Sequence, residues 1–516
     1  MTHGPYGKGI AWSQPNNPSF PQWNAMCKER PEIFDGSSCK YITWETVDPE
    51  RWTAWGYAVV RGDGLLYCIE WAGTRDWSTG KVGLCGISYY AINQWQVAAL
   101  QPPHLVAMIP WEGASDIYRE IYRHGGILSN YFINYLYNIV IVNQHGKGTH
   151  MDHWLGESSS GPEKLSEQEL AKNRVDPLES PRNEHIIDGE HYVSRQADFS
   201  KINVPLLSCA SWAGFGLHQR GNFEGFLQSA SEQKWLEVHP GKHKEWFYLP
   251  AGYQLQKRFF DRFLKGEANG MDQEPRVLLN IRYPGERFVL RKENEWPLSR
   301  TQWTKFYLDA SNMSLSTCPS LSAAECSFSA LTSAGAVFNS AGLEQEYEIT
   351  GPIAARIRLT SSTKDADLFL TLRAFDPSEK EIVFHGTVDP RSVLSQGCLR
   401  ASHRALDSEK TLPYRPYHSH MKQEFLSPGQ QYDLDIEMWP TCIVLSKGST
   451  LQLVIDGKDF ARQENEVIVR GPLRLAGSGC FLHDDPVDRD EKVYGGETKV
   501  ITSEDSWLLL PIVPKE

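Results

Sequence analysis

No run of eighteen apolar residues occurs in this 516-residue chain, although 41% of its residues are hydrophobic. A membrane span is therefore not expected. The first residues, Met1-Thr2-His3-Gly4-Pro5-Tyr6-Gly7-Lys8, hold no apolar stretch that could serve as a secretory signal, and a cytoplasmic location is the expectation. Cys-x-x-Cys pairs are missing. The ten cysteines are scattered, which fits reduced thiols better than a disulfide framework or a zinc site. Also lacking are internal repeats, low-complexity tracts, a basic patch interleaved with aromatics and a Gly-x-Gly-x-x-Gly turn behind a strand. Nucleic-acid binding is not expected, nor is a cofactor or a metal. The net charge of −12 comes from 52 basic and 64 acidic residues that are interspersed rather than blocked, the pattern of a solvated surface.

What the chain does have is a short segment that changes character at a serine. In Lys81-Val82-Gly83-Leu84-Cys85-Gly86-Ile87-Ser88-Tyr89-Tyr90-Ala91 an apolar run stops at a glycine, a serine follows two residues later, and a helical pattern begins. This is the pattern of a nucleophile elbow, a sharp strand-to-helix turn that holds a serine hydroxyl above a sheet. The turn is strained, so its neighbours must be small. Gly86 meets that need, whereas Tyr90 stands where a second glycine is usual.

The flanking segments predict a parallel sheet around the elbow. Residues 56–60, 81–85 and 105–111 predict short buried strands, 68–72 a helix end, and 91–100 a buried helix through Ile92, Trp95, Val97, Ala98 and Ala99. Strand, helix, strand in this order gives a right-handed parallel unit. Residues 113–196 are aromatic-rich, with Tyr118, Tyr122, Tyr131, Phe132, Tyr135 and Tyr137, and then polar; they predict a helical cap inserted over the site. The sheet resumes at 204–209, followed by a helix near 218–231, a strand at 235–238 and a helix at 254–264. From about residue 303 the period becomes two. Leu368, Leu370 and Leu372 alternate with Phe369, Thr371 and Arg373, and 347–360, 431–437 and 450–455 are further strand candidates. Many strands between Gly, Pro, Ser and Asp turns predict an all-β sandwich. The expected organisation is an α/β domain from 1–112 and 197–292, a helical cap at 113–196, a linker at 293–298 and a β-sandwich at 303–516. Seventeen tryptophans leave some free to line an aromatic pocket.

A serine at an elbow needs a base, a group that orients the base, and donors for an oxyanion. The base belongs on a loop after a late strand. His243, in His239-Pro240-Gly241-Lys242-His243, meets this, with His239 as a rival nearer the strand. An acid is expected just past 204–209, yet Ala210-Ser211-Trp212-Ala213-Gly214-Phe215-Gly216-Leu217-His218 contains none, and Glu224 lies inside a helix. Glu112 and Asp116, after the preceding strand, are the alternatives. Glu112 is the candidate orienting acid; a structural hydrogen bond for Glu112 and a helix cap for Asp116 are the plain readings. The Tyr89 backbone N–H is one oxyanion donor, and the tight turn Gly4-Pro5-Tyr6-Gly7-Lys8 offers the second, as the Tyr6 hydroxyl or a backbone N–H.

Together with Gln101-Pro102-Pro103-His104-Leu105, Phe259-Phe260-Asp261-Arg262-Phe263-Leu264-Lys265-Gly266 and Glu295-Trp296-Pro297-Leu298, these segments resemble the cocaine esterase and Xaa-Pro dipeptidyl-peptidase family over nearly the whole chain. The resemblance implies an α/β-hydrolase domain, an inserted helical cap and a C-terminal jelly roll. It also implies a Ser-Asp-His triad and a tyrosine hydroxyl that supplies half of the oxyanion hole. Carried over by position, Ser88 is the nucleophile, His243 the base, Tyr6 the side-chain donor and Tyr89 the backbone donor. The chain departs from the pattern in three places. Trp212-Ala213-Gly214-Phe215 lacks the triad Asp. The chain begins almost at the Pro-Tyr-Gly-Lys turn. Arg61-Gly62-Asp63-Gly64-Leu65-Leu66-Tyr67-Cys68 replaces an Asp-x-Arg-Gly-x-Gly loop. The last two predict missing N-terminal strands and an exposed sheet edge.

The leading expectation is a serine hydrolase that cleaves an ester or amide of a small acyl compound through an acyl-enzyme on Ser88. The rivals are an acyltransferase or cyclase acting on a natural-product intermediate, and a degenerate hydrolase kept as a binding protein. Dipeptidyl-peptidase activity is less attractive because no acidic site for a free amine stands out in the cap. The expected partner is a small acyl substrate. A homodimer is left open, and neither nucleic acid nor membrane is expected.

Overall fold

Val82–Ile87 (β1) is buried at all six positions, and Leu105–Trp111 (β2) pairs with it in parallel. Between them runs the helix Tyr89–Ala98 (α1). Strands covered on both faces read as continuous apolar runs rather than alternating ones, which is why 82–87 and 105–111 stand out in the sequence. Leu206–Ser211 (β3), Lys234–His239 (β4) and Val277–Tyr283 (β5) extend the sheet in parallel. Arg287–Glu293 (β6) closes it antiparallel, giving the order β1-β2-β3-β4-β5-β6. Helix Gln219–Gln228 (α2) follows β3, and Pro250–Phe260 (α3) precedes β5. The computed structural model describes the chain outside residues 7–8, 14–19, 63, 135, 138–164, 213, 320–321, 388, 471–472, 479–480 and 516.

Two expectations for the N-terminal side need correction. Residues 56–60 form no strand: the nearest pairing is one isolated parallel bridge between Thr2 and Arg61, with Thr2 N–H donating to the Val60 carbonyl at 3.1 Å. The outer edge of β1 is also not left bare. The Met1 ammonium donates to the Gly83 carbonyl at 2.6 Å, Cys85 N–H donates to the Met1 carbonyl at 3.3 Å, and Ile87 N–H donates to the Glu45 carbonyl at 3.2 Å. Two short pieces of chain thus satisfy the groups that a neighbouring strand would have paired.

The segment after β2 holds a turn of π-helix at Tyr118–Tyr122, a small hairpin of Arg123–His124 with Ile127–Leu128, and short helices at Glu167–Lys172, Glu179–Asn183 and Glu190–Val193. The middle of the expected cap, 138–164, lies outside the described residues.

From Gln302 to Val513 the described residues are mainly β, with a single helical turn at Glu491–Tyr494 and 3-10 turns at Ala401–His403 and Glu464–Glu466. Tyr347–Ser361 pairs antiparallel with Tyr432–Leu445, and Asp367–Phe375 with Thr450–Asp456. Leu368, Leu370 and Leu372 enter the core with Leu451, Leu453 and Ile455. The opposite face is not solvated as a simple alternation predicts. Phe369 and Thr371 are buried too, and Phe369 packs 5.3 Å from the His483 ring. The two units share a core in which Trp212, Phe223 and Val238 meet Cys442, Val444 and Val513. Among the described residues no helix is long and apolar enough to cross a membrane.

Candidate active site

Ser88 stands between β1 and α1 with φ 60° and ψ −119°, a conformation that non-glycine residues adopt only when the surroundings impose it. Its N–H donates to the Trp111 carbonyl at 3.0 Å, which ties the turn to the end of β2. A Cβ at Gly86 would lie 2.5 Å from the Tyr90 Cβ, so the turn closes only over glycine. Tyr90 itself is accommodated by the N-terminal turn. A Cβ at Gly4 would lie 2.7 Å from the Tyr90 ring, and that ring lies 5.7 Å from the ring of Tyr6. The residue that breaks the glycine pattern therefore supports the turn that carries Tyr6. The Tyr6 side chain lies beside that of Ser88, and burial together with nearby Glu45 pushes its hydroxyl well above the ordinary tyrosine range. Tyr89 is the first residue of α1, where a backbone N–H has no partner inside the helix.

His243 lies on the loop after β4. Its Nδ1 is 2.8 Å from Glu112 Oε2 and its Nε2 is 3.0 Å from Glu45 Oε1. Glu112 follows the end of β2, is wholly buried, and also takes His239 Nε2 on Oε1 at 3.1 Å. His239 Nδ1 rests on Glu237 Oε2 at 2.8 Å; the two residues are two apart on β4 and so share a face. Burial alone would lower the pKa of His243, but Glu112 and Glu45 outweigh it and raise it to about 9. Burial would raise Glu112, but His243 and His239 hold it well below the carboxylate range. Lys244 Nζ lies 3.4 Å from Glu45 Oε1 and 4.0 Å from the centre of the Trp44 ring. On the other side, the His218 ring stacks on that of His243 at 5.2 Å, and burial lowers its pKa to about 3.

Backbone strain converges here. Ten non-glycine residues among those described have a positive φ; three of them, Glu45, Glu112 and Lys244, meet at His243, and Ser88 is a fourth, on the turn after β1. Such residues persist where surrounding structure over-determines them, and they cluster at sites of chemistry.

Of the residues singled out from sequence, the structure brings Ser88 to Tyr6, and His243 to Glu112. Asp116 instead caps the turn toward Arg119, accepting from its N–H at 3.0 Å. His239, the rival base, has both ring nitrogens engaged by carboxylates, Glu237 and Glu112. Glu45 was not singled out by the sequence, and neither were Glu237, Lys244 nor the stacking of His218. Glu45 carries no motif, since it reaches the site through a backbone contact to β1. Gly7 and Lys8 of the N-terminal turn lie outside the described residues, as does Ala213. Among the described residues no group of three or more His, Cys, Asp or Glu side chains is arranged to hold a metal ion.

A parallel sheet with a strained serine at its first strand-to-helix turn, joined to an all-β unit, defines an α/β-hydrolase with a C-terminal β domain. Residues 62–245 match the family model of the X-Pro dipeptidyl-peptidase (S15 family), and 269–466 that of the X-Pro dipeptidyl-peptidase C-terminal non-catalytic domain. The chain belongs to this cocaine esterase and Xaa-Pro dipeptidyl-peptidase-like family and is a serine hydrolase. The cocaine esterase of Rhodococcus sp. (strain MB1 Bresler) is 24% identical over 468 residues, spanning 77% of this chain and 76% of that protein. A CocE/NonD family hydrolase from Staphylococcus aureus superposes with a TM-score of 0.82 at 29% identity, over 100% of this chain and 88% of that one. An α-amino acid ester hydrolase shares the fold at 13% identity, with a TM-score of 0.60 over 86% of this chain and 79% of that one.

Proposed function

We propose that the chain cleaves an ester or amide of a small acyl compound through an acyl-enzyme on Ser88. The Ser88 hydroxyl attacks the carbonyl carbon while His243 Nε2 takes its proton. Glu112 fixes the ring through Nδ1 and stabilises the imidazolium that forms. The oxyanion lies between the Tyr6 hydroxyl and the Tyr89 N–H. The leaving group departs with the proton from His243, and water then releases the acid by the same steps in reverse. The observation that carries this reading is a strained serine on the turn after β1, together with an imidazole on the loop after β4 that a buried glutamate holds through Nδ1 at 2.8 Å. Glu112 supplies the acid that the segment after β3 lacks, because its side chain at the end of β2 already lies 2.8 Å from Nδ1.

A fluorophosphonate probe tests the assignment. It is expected to modify the wild-type protein at Ser88, as located by peptide mass, and to leave a folded Ser88→Ala variant unmodified. Failure of the folded wild type to react at any pH between 6 and about 10, a span chosen to bracket the His243 titration, defeats the reading.

A further inference from the structure

In this structure the ring nitrogen that acyl transfer requires is held by a second acid. His243 gives Nδ1 to Glu112 and Nε2 to Glu45. One nitrogen cannot serve Glu45 and Ser88 together. An ionised carboxylate only accepts hydrogen bonds, and a neutral imidazole has one N–H. With that N–H on Glu112, the bond to Glu45 exists only in the imidazolium. Loss of the Nε2 proton leaves a lone pair facing Glu45 Oε1, turning attraction into repulsion, and frees Nε2 to accept from a hydroxyl.

Glu45 is built into this position. It has a φ of 58°, its carbonyl accepts from Ile87 N–H one residue before Ser88, and its carboxylate is almost fully buried beside Lys244. We propose that Glu45 is a positioning residue that latches protonated His243 away from Ser88 and releases it when the Nε2 proton is lost. The proposal rests on the assignment of His243 as the base.

The other groups facing the ring define what removal of Glu45 does. Glu112, beyond β2, favours the charged ring. Lys244, on the same loop, opposes it. His218, at the start of α2, is stacked on the ring and held neutral by burial. His239 and Glu237, on β4, act only through the far oxygen of Glu112. Without the Glu45 charge, Lys244 is left unbalanced and the imidazolium loses one of its two carboxylates, so the ring must release its proton at lower pH.

The test follows the ring itself. Protein labelled with ¹³Cε1-histidine is titrated by NMR, and the His243 resonance is assigned by its absence from His243→Asn. In the wild type the ring is expected to titrate near 9. In Glu45→Gln the midpoint falls by about one pH unit or more, the usual effect of a nearby opposite charge, and the acid limb of fluorophosphonate capture at Ser88 moves with it. Glu45→Ser is the second variant, since it also removes the charge and demands less space. A midpoint unchanged from wild type in either folded variant overturns the proposal. Absence of capture in the wild type at every pH defeats the acyl-transfer reading instead, so the two failures are distinguishable.

Discussion

Glu112 carries two imidazoles on one carboxylate, His243 on Oε2 and His239 on Oε1. This sharing explains why a glutamate serves: its two oxygens sit between a ring on the strand and a ring on the loop after it. A carboxamide cannot do the same, because one of its ends donates. Glu112→Gln is therefore expected to slow Ser88 acylation by roughly 10⁴, the loss seen when a triad acid becomes an amide, measured as the single-turnover rate with an activated nitrophenyl ester. Tyr6 acts on a different atom. Its pKa is driven up by burial and then by Glu45, so it remains a protonated donor across the working pH range. Tyr6→Phe removes one oxyanion donor and is expected to lower kcat by about 10²–10³ with little change in KM. A rise in KM with kcat unchanged would instead assign Tyr6 to ground-state binding.

The elbow is a property of two elements that cross within a few residues, and its demand for glycine is local. Ala at position 86 would place its Cβ 2.5 Å from the Tyr90 Cβ, an atom close to the backbone that cannot rotate aside. Gly86→Ala is expected to destabilise the protein by about 1–3 kcal/mol through overpacking and to abolish fluorophosphonate capture; urea denaturation and probe labelling measure the two. Local demands of this kind were legible in the sequence. Gly86, Ser88 and the continuous apolar strands betray themselves over six or seven residues. His243 was placed by its position after a strand, and Glu112 by elimination of the empty segment after β3. What the sequence hid depends on chain paths. Residues 56–60 have a strand's composition but no neighbouring strand to pair with, since Met1, Thr2 and Glu45 occupy the edge of β1. Glu45 reaches His243 only because its carbonyl pairs with Ile87. The fit of Tyr90 depends on Gly4, eighty-six positions away in the chain. A pattern of residue types carries no trace of these contacts.

At the scale of the whole molecule, a buried charge network holds the segment after β2 to the all-β unit. Arg123 from the small hairpin meets Asp488 at 2.8 Å; Asp488 meets Arg400 at 3.0 Å; Arg400 and Arg489 both bind Asp367, at 2.8 and 3.0 Å. These side chains are almost fully buried, and Arg123 also donates to the carbonyls of Pro181, Glu184 and Gly126. Burial would raise the Asp488 pKa, but Arg400 and Arg123 hold it far below the carboxylate range. A paired buried charge contributes little net stability, because desolvation offsets the attraction, whereas removal of one partner leaves the others uncompensated. Asp488→Asn removes the carboxylate that Arg123 meets and one of the two that Arg400 meets, and is expected to destabilise the protein by about 3–5 kcal/mol. Asp433 is a control of the same chemistry, since its pair with Arg358 has side chains 45% and 26% exposed; such a pair is worth about 0–1 kcal/mol. Guanidinium denaturation of the two variants side by side should separate them by several kcal/mol. Equal, small losses would mean that the hairpin is held by its apolar contacts, with Arg123 bonded mainly to the carbonyls around it, and that the charge network joins the two units in geometry without joining them in stability.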